Sequence, residues 1–144
     1  MFETYTELCN WLTSIPGGVH SANQLQTLLE PGKELGYIPF DTSFTSEPLN
    51  ISFFLLDAQR FIKVSILLHD GDADKSYLTV SIRKNHDLVK KDISYSKLNY
   101  YTRAFNDLDV NLAFKDGHEI SLSSTEFKRT PSNFKDFVNN LLKL

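Results

Sequence analysis

Residues 108–124 read "LDVNLAFKDGHEISLSS", and the reading of the "DG" near their centre decides the fold. Leu108, Val110, Leu112 and Phe114 alternate with polar residues before it, and Ile120 and Leu122 alternate after it. A period of two places every second side chain on one face, which is the pattern of a half-buried strand. Asp116 and His118 could be an acid and a base held two residues apart. Asp-Gly between two alternating runs is also the chemistry of a two-residue hairpin turn, where both residues supply positive φ. The stretch is expected to be a corner, with Asp116-Gly117 as its turn, rather than a catalytic pair.

Three segments upstream are also strand-like, "ISFFLL" (51–56), "FIKVSILL" (61–68) and "YLTVSI" (77–82), and in the last two the same period puts Ile62, Val64, Ile66, Leu68 and then Leu78, Val80, Ile82 on one face. The connections "DAQ" (57–59) and "DGDADK" (70–75) have the length and composition that join antiparallel neighbours. Between 88 and 105 the alternation weakens. Val89, Ile93 and Tyr95 suggest one strand and "NYYTRAF" (99–105) another, giving about seven strands in all.

Helical periods flank this β region. Tyr5, Leu8, Leu12 and Ile15 are spaced for one helical face, which "PGG" (16–18) stops. Ser21 can cap a second short helix carrying Leu25, Leu28 and Leu29, ended by "EPG" at 30–32. At the other end Thr130 can cap, Pro131 suits the first helical position, and Phe134, Phe137, Val138, Leu141 and Leu142 form an apolar stripe. Buried, each of these five side chains contributes roughly 1.5–3 kcal/mol, so the helix is expected to dock on the sheet.

The 144 residues suit one domain, 1–144, able to bury about 70% of its unfolded surface. Hydrophobic residues at 41% and aromatics at 12% exclude a disordered chain. A net charge of −3 argues against attraction of the whole surface to nucleic acid or anionic lipid. One cysteine, Cys9, allows no internal disulfide, and "MFETYTELCNWL" lacks the basic start and apolar run of a signal peptide, so a reducing cytoplasmic setting is expected. Cys9 sits in an amphipathic stretch and is expected in the core.

Four segments in order carry a resemblance. "LLEPGKEL" (28–35) looks like the leucine, Pro-Gly and acid that lead into bacterial pleckstrin-homology-like (PH-like) domains. "FFLLDAQRFIKVSIL" (53–67) resembles their strand, turn, Arg, strand hairpin, "DISYSKL" (92–98) the following strand, and "LDVNLAFKDGHEISL" the final hairpin. The resemblance covers residues 25–144 and leaves 1–24 as an N-terminal helical addition. It implies an α+β fold, a bent antiparallel sheet or barrel of about seven strands capped by a C-terminal amphipathic helix. It also implies an interaction module, since that superfold mainly binds proteins, peptides or lipid headgroups, and the source expected for such a chain is a bacterium or a phage. It assigns no residue roles.

No motif names a reaction. Asp70, Asp72 and Asp74 have the alternate spacing of a calcium loop, but Lys75 stands at the glycine position and Ser81 at the bidentate glutamate position. His20, His69, His86 and His118 show no zinc spacing, and no nucleophile elbow, P-loop or dinucleotide fingerprint is present. No metal, cofactor or catalytic set is therefore assigned, and an enzyme would need dispersed residues.

Charge is more informative. By the resemblance, the connections 41–48, 70–75 and 115–117 would share the open end of the sheet. They hold Asp41, Glu47, Asp70, Asp72, Asp74 and Asp116 against Lys75 and Lys115, a net −4, which disfavours phosphoinositide membranes. Residues 83–103 hold Arg83, Lys84, Lys90, Lys91, Lys97 and Arg103 against Asp87 and Asp92, a net +4, interleaved with Tyr95, Tyr100 and Tyr101. Such a segment is either a solvated face or a partner surface. The strand near 88–98 is the expected exposed edge. The chain thus reads as a noncatalytic cytosolic module that binds another protein through these nine residues, in the manner of an inhibitor or an immunity protein. A nucleic-acid or nucleotide binder using 83–103 is the alternative, and an enzyme with an unrecognised site a weaker one.

Overall fold

The computed structural model describes residues 2–40, 48–127 and 130–144. The elements are α1 (Tyr5–Leu12), α2 (Gly18–Leu28), β1 (Gly36–Pro39), β2 (Leu49–Leu56), β3 (Arg60–Leu68), β4 (Tyr77–Lys84), β5 (Leu88–Asn99), β6 (Ala104–Phe114), β7 (Glu119–Ser123) and α3 (Pro131–Leu142). β1 to β4 form one antiparallel sheet in chain order, and β5 to β7 form a second. Among the described residues the fold is α+β, with seven strands, an N-terminal helical pair and a C-terminal helix. No helix of the described residues is long and apolar enough to cross a membrane.

The first sheet is buried on both faces through β1 to β3. On one face Ile51, Phe53, Leu55, Ile62, Val64 and Ile66 pack against Tyr5, Leu8, Cys9 and Leu12 of α1 and against Ala22 and Leu25 of α2. On the other, Ile38, Phe54, Leu56 and Phe61 pack against Val110, Leu112, Phe114 and Leu122 of the second sheet and against Phe134, Phe137, Val138 and Leu141 of α3. This explains why "FFLL" (53–56) of β2 is continuously apolar: a strand covered on both faces has no polar side to alternate with. The result is three layers, with the first sheet in the middle.

The helices are held by specific bonds. Thr4 Oγ1 accepts from the Glu7 N–H at 3.1 Å, capping α1. The buried Tyr5 hydroxyl donates toward the Leu25 and Leu29 carbonyls at 3.1 and 3.0 Å, tying α1 to the end of α2, and burial pushes its pKa upward. Cys9 is buried, as its pattern suggests, and burial pushes its thiol up to about 11, so it stays protonated at neutral pH. Gly36 lies where α3 crosses β1: a Cβ there would meet Phe137 Cδ2 at 2.8 Å.

Several sequence expectations are corrected. β1 is a strand that the pattern did not reveal, and "NYYTRAF" is not a strand but chiefly the turn between β5 and β6. α2 begins at Gly18 after a left-handed Gly17, so Ser21 is a buried interior residue rather than a cap. Thr130 precedes α3 without a side-chain cap bond; its carbonyl accepts from the Phe134 N–H at 3.0 Å. Leu142 is exposed, leaving four docking residues on α3.

Candidate functional site

The turn that opened the sequence argument is a corner, in a different form from the one expected. Of its residues only Gly117 has positive φ, +86°, and its N–H donates to the Phe114 carbonyl at 2.9 Å. This is a three-residue turn closed by a left-handed glycine, not a two-residue turn with Asp116 in the same region. Asp116 accepts from the His118 main-chain N–H at 2.9 Å and pairs with Arg83. The His118 N–H bond, with Arg83, holds its carboxyl below the usual aspartate range, outweighing the opposing cost of desolvation.

The Arg83–Asp116 pair also places the acidic turns. Lys115 N–H donates to the Asp87 carbonyl at 2.8 Å, so the 115–117 turn lies beside residues 83–87. The 70–75 connection lies at the opposite end of β4, about 25 Å away along a strand of eight residues. Asp116 therefore does not join Asp70, Asp72 and Asp74 in one acidic rim. Asp41 and Glu47 lie outside the described residues.

The nine expected partner-binding residues divide into three groups. Arg83 and Lys84 end β4, with the Arg83 guanidinium 5.6 Å from the Phe114 ring. Lys90 and Lys91 begin β5: Lys90 pairs with Asp92 at 3.0 Å, and Lys91 Nζ donates to the main-chain oxygens of Leu141 and Leu144 at the end of α3. Tyr95, Lys97, Tyr100, Tyr101 and Arg103 lie on the distal part of the β5–β6 hairpin, from about 13 Å (Tyr95) to about 30 Å (Tyr100) beyond Lys91 at about 3.3 Å per strand residue.

That distal part is an arm. Residues 94–98 are exposed in succession, so both faces of β5 meet solvent there, and residues 104–106 of β6 match them. At its tip the Asn99 Oδ1 accepts from the N–H groups of Tyr101 and Thr102 at 2.9 and 3.2 Å, and the Arg103 N–H donates to the Asn99 carbonyl at 2.8 Å. Arg103 closes this turn in the left-handed region at φ +57°. The turn turns both tyrosine side chains outward: Tyr100 is 84% and Tyr101 99% exposed. Tyr95 and Phe105 meet with ring centroids 5.8 Å apart, and Lys97 pairs with Asp107 at 3.0 Å. Leu98 and Phe105, exposed on the arm, were not among the expected residues. Their signal in the sequence was only β-propensity, which does not distinguish a covered face from an open one.

Two of the surface hollows lie close to these elements. A cleft of about 560 Å³ opens between α2 and the β3–β4 connection, lined by His20, Ser21, Gln24, Leu68, Tyr77 and Leu78. A smaller one of about 290 Å³ lies between the two sheets, lined by Phe61, Lys63, Arg83, Glu119, Glu126 and Phe127 among others. Among the described residues no three His, Cys, Asp or Glu side chains group as metal ligands. Comparison with protein-family models, curated proteins and solved structures finds no match to this chain.

Proposed function

We propose that this chain is a noncatalytic interaction module that binds another protein through the distal β5–β6 arm. The observation that carries this reading is the pair of fully presented tyrosines, Tyr100 and Tyr101, on a hydrogen-bonded turn beside Arg103. Tyr and Arg are the side chains that most often anchor protein interfaces, because they bring large contact area with few rotatable bonds or a planar fork of donors. Leu98, Tyr95 and Phe105 extend the apolar surface behind them.

The order of two antiparallel sheets and a C-terminal helix supports a PH-like reading of the body, and with it a binding role in the cytosol of a bacterium or a phage-infected cell. An inhibitor that blocks a partner enzyme is one form this role takes. Nucleic acid is the competing partner class, because stacked bases also use Tyr and Arg. The protein reading is favoured because Arg83, Lys90 and Lys97 are each paired to a carboxylate and the basic residues are spread over three places, not aligned along one groove.

The test is capture from native-host extract by wild type and by Tyr100→Ser/Tyr101→Ser. The captured protein is then identified, purified and titrated against both forms. The double variant is expected to melt as wild type does and to bind at least about tenfold more weakly, equivalent to 1.4 kcal/mol. Equal binding by the two forms would remove the arm from the interface. Retention of a single-stranded oligonucleotide with steep salt dependence would favour the nucleic-acid reading.

A further inference from the structure

β4 is a sheet edge of a different character from the others. β1 is four residues long, ends in Pro39 and is crossed by α3. β5 carries a pairing irregularity between Leu88 and Lys90, the lysines 90, 91 and 97, and a left-handed Lys97 at φ +57°. β7 has five residues. Proline, bulges, inward lysines and short length are the usual devices that stop an edge from pairing with another chain. β4 has none of them within "YLTVSI" (77–82), and its register with β3 is unbroken from Tyr77 to Lys84.

Among the described residues β4 pairs only with β3, and one of its faces is apolar. Leu78, Val80 and Ile82 lie opposite Ile66, Val64 and Ile62 of β3, on the face covered by α1 and α2. The helices cover the β3 row completely and leave Val80 36% and Ile82 49% exposed. Charge differs between the two ends of the strand: Asp70, Asp72 and Asp74 with Lys75 precede it, and Arg83, paired with Asp116, and Lys84 end it.

We propose that β4 pairs antiparallel with β4 of a second copy of this chain, joining two four-stranded sheets into one of eight strands about a two-fold axis at Val80. An isologous contact requires a surface complementary to itself, and a strand preceded by aspartates, apolar in the middle and ended by Lys84 meets that requirement when antiparallel. With Val80 opposite Val80, Leu78 faces Ile82 and Tyr77 faces Arg83 of the other copy. Lys84 faces Ser76, beside the other copy's Asp74. The β5–β6 arms stay free, so the dimer presents two copies of the proposed tyrosine surface.

Sedimentation of the full chain between about 1 and about 100 µM tests this, since mass action makes a dimer grow with concentration. Wild type is expected to shift from monomer to dimer. Val80→Lys sets two like charges face to face on the axis and is expected to weaken dimerisation at least about tenfold with little change in melting. Lys84→Glu and Asp74→Lys should each weaken it about threefold or more, and the two together should restore it. Val80→Cys is expected to form a disulfide with its own copy under mild oxidation, while Val89→Cys on β5 stays reduced. This crosslink decides the matter should Val80→Lys fail to fold. A wild-type monomer throughout the range, unchanged dimerisation by a folded Val80→Lys, failure of the charge swap to restore, or equal crosslinking at 80 and 89 would each overturn the assignment. None of these outcomes bears on the arm, whose variants are read by partner titration.

Discussion

Lys91 Nζ donates to the main-chain oxygen of Leu144 at 2.6 Å and to that of Leu141 at 3.3 Å, so a lysine of strand β5 closes the C-terminal end of α3. The last carbonyls of a helix have no partner within it and carry the negative end of its dipole. Lys91 supplies both a donor and a positive charge. It is structural in effect, although it lies among residues that read as a binding surface.

Lys91→Glu is therefore expected to destabilise the fold by about 1–2 kcal/mol, lowering Tm by some 3–6 °C, whereas Lys90→Glu leaves it nearly unchanged. Thermal melts of the two single variants check this. Equal melting of both would mean that the Lys91 bonds contribute nothing measurable.

Gly117 gives a second prediction. A Cβ at that position would meet nothing within 4 Å, so any cost of substitution comes from its φ of +86° alone. Gly117→Val should cost about 2 kcal/mol and Gly117→Asn at most half of that, because Asn tolerates the left-handed region and branched residues do not. Chemical denaturation of both variants, compared at constant slope, measures the difference.

Asp57 supplies a pH dependence. Burial disfavours its charge, but hydrogen bonds from the Arg60 side chain and from the Gln59 and Arg60 N–H groups, with the Arg60 charge, outweigh that and lower its pKa. A carboxyl with a lowered folded pKa stabilises in full above its unfolded value, near 3.9, and loses this as pH falls toward the folded value. Arg60 Nη2 also reaches the Leu28 carbonyl at 3.0 Å, so the pair joins the β2–β3 turn to α2. Asp57→Asn should lower stability by about 1–2 kcal/mol at pH 7, with the gap to wild type closing below about pH 4. A gap that persisted unchanged in acid would count against the ion pair as its source.

The layers were legible where one residue pattern had one cause. Ile62, Val64, Ile66 and Leu68 alternate because β3 turns one face to α1 and α2. Val110, Leu112 and Phe114 alternate because β6 turns one face to the core it shares with α3. "GYIP" escaped notice because four residues offer no period, and its strand exists through pairing with β2 and cover from α3. "NYYTRAF" misled because Tyr and Phe favour strands, while the decisive contact is local: the Asn99 carboxamide gathers two N–H groups into a turn.

The acidic residues were displaced for a different reason. The resemblance set the 70–75 connection and the 115–117 turn at one end of the sheet, whereas Asp116 lies beside Arg83 at the far end of β4 from Asp70, Asp72 and Asp74. The tyrosines of the arm were visible as residues but not as a tip, because exposure depends on where the core ends, and that is set by contacts distant in sequence.

The central sheet has a temporal consequence as well. Its second face stays open until residues 110–141 arrive, since Phe54, Leu56 and Phe61 are covered by β6, β7 and α3. Asn133 reaches the Glu3 carbonyl across 130 positions and Asn140 the Leu35 carbonyl across 105. Contacts of such separation cost loop closure before they return any burial, so folding of this chain is expected to be slow for its size. On the ribosome, β1 to β3 would wait with an oily underside exposed, the interval in which a nascent chain most needs a chaperone.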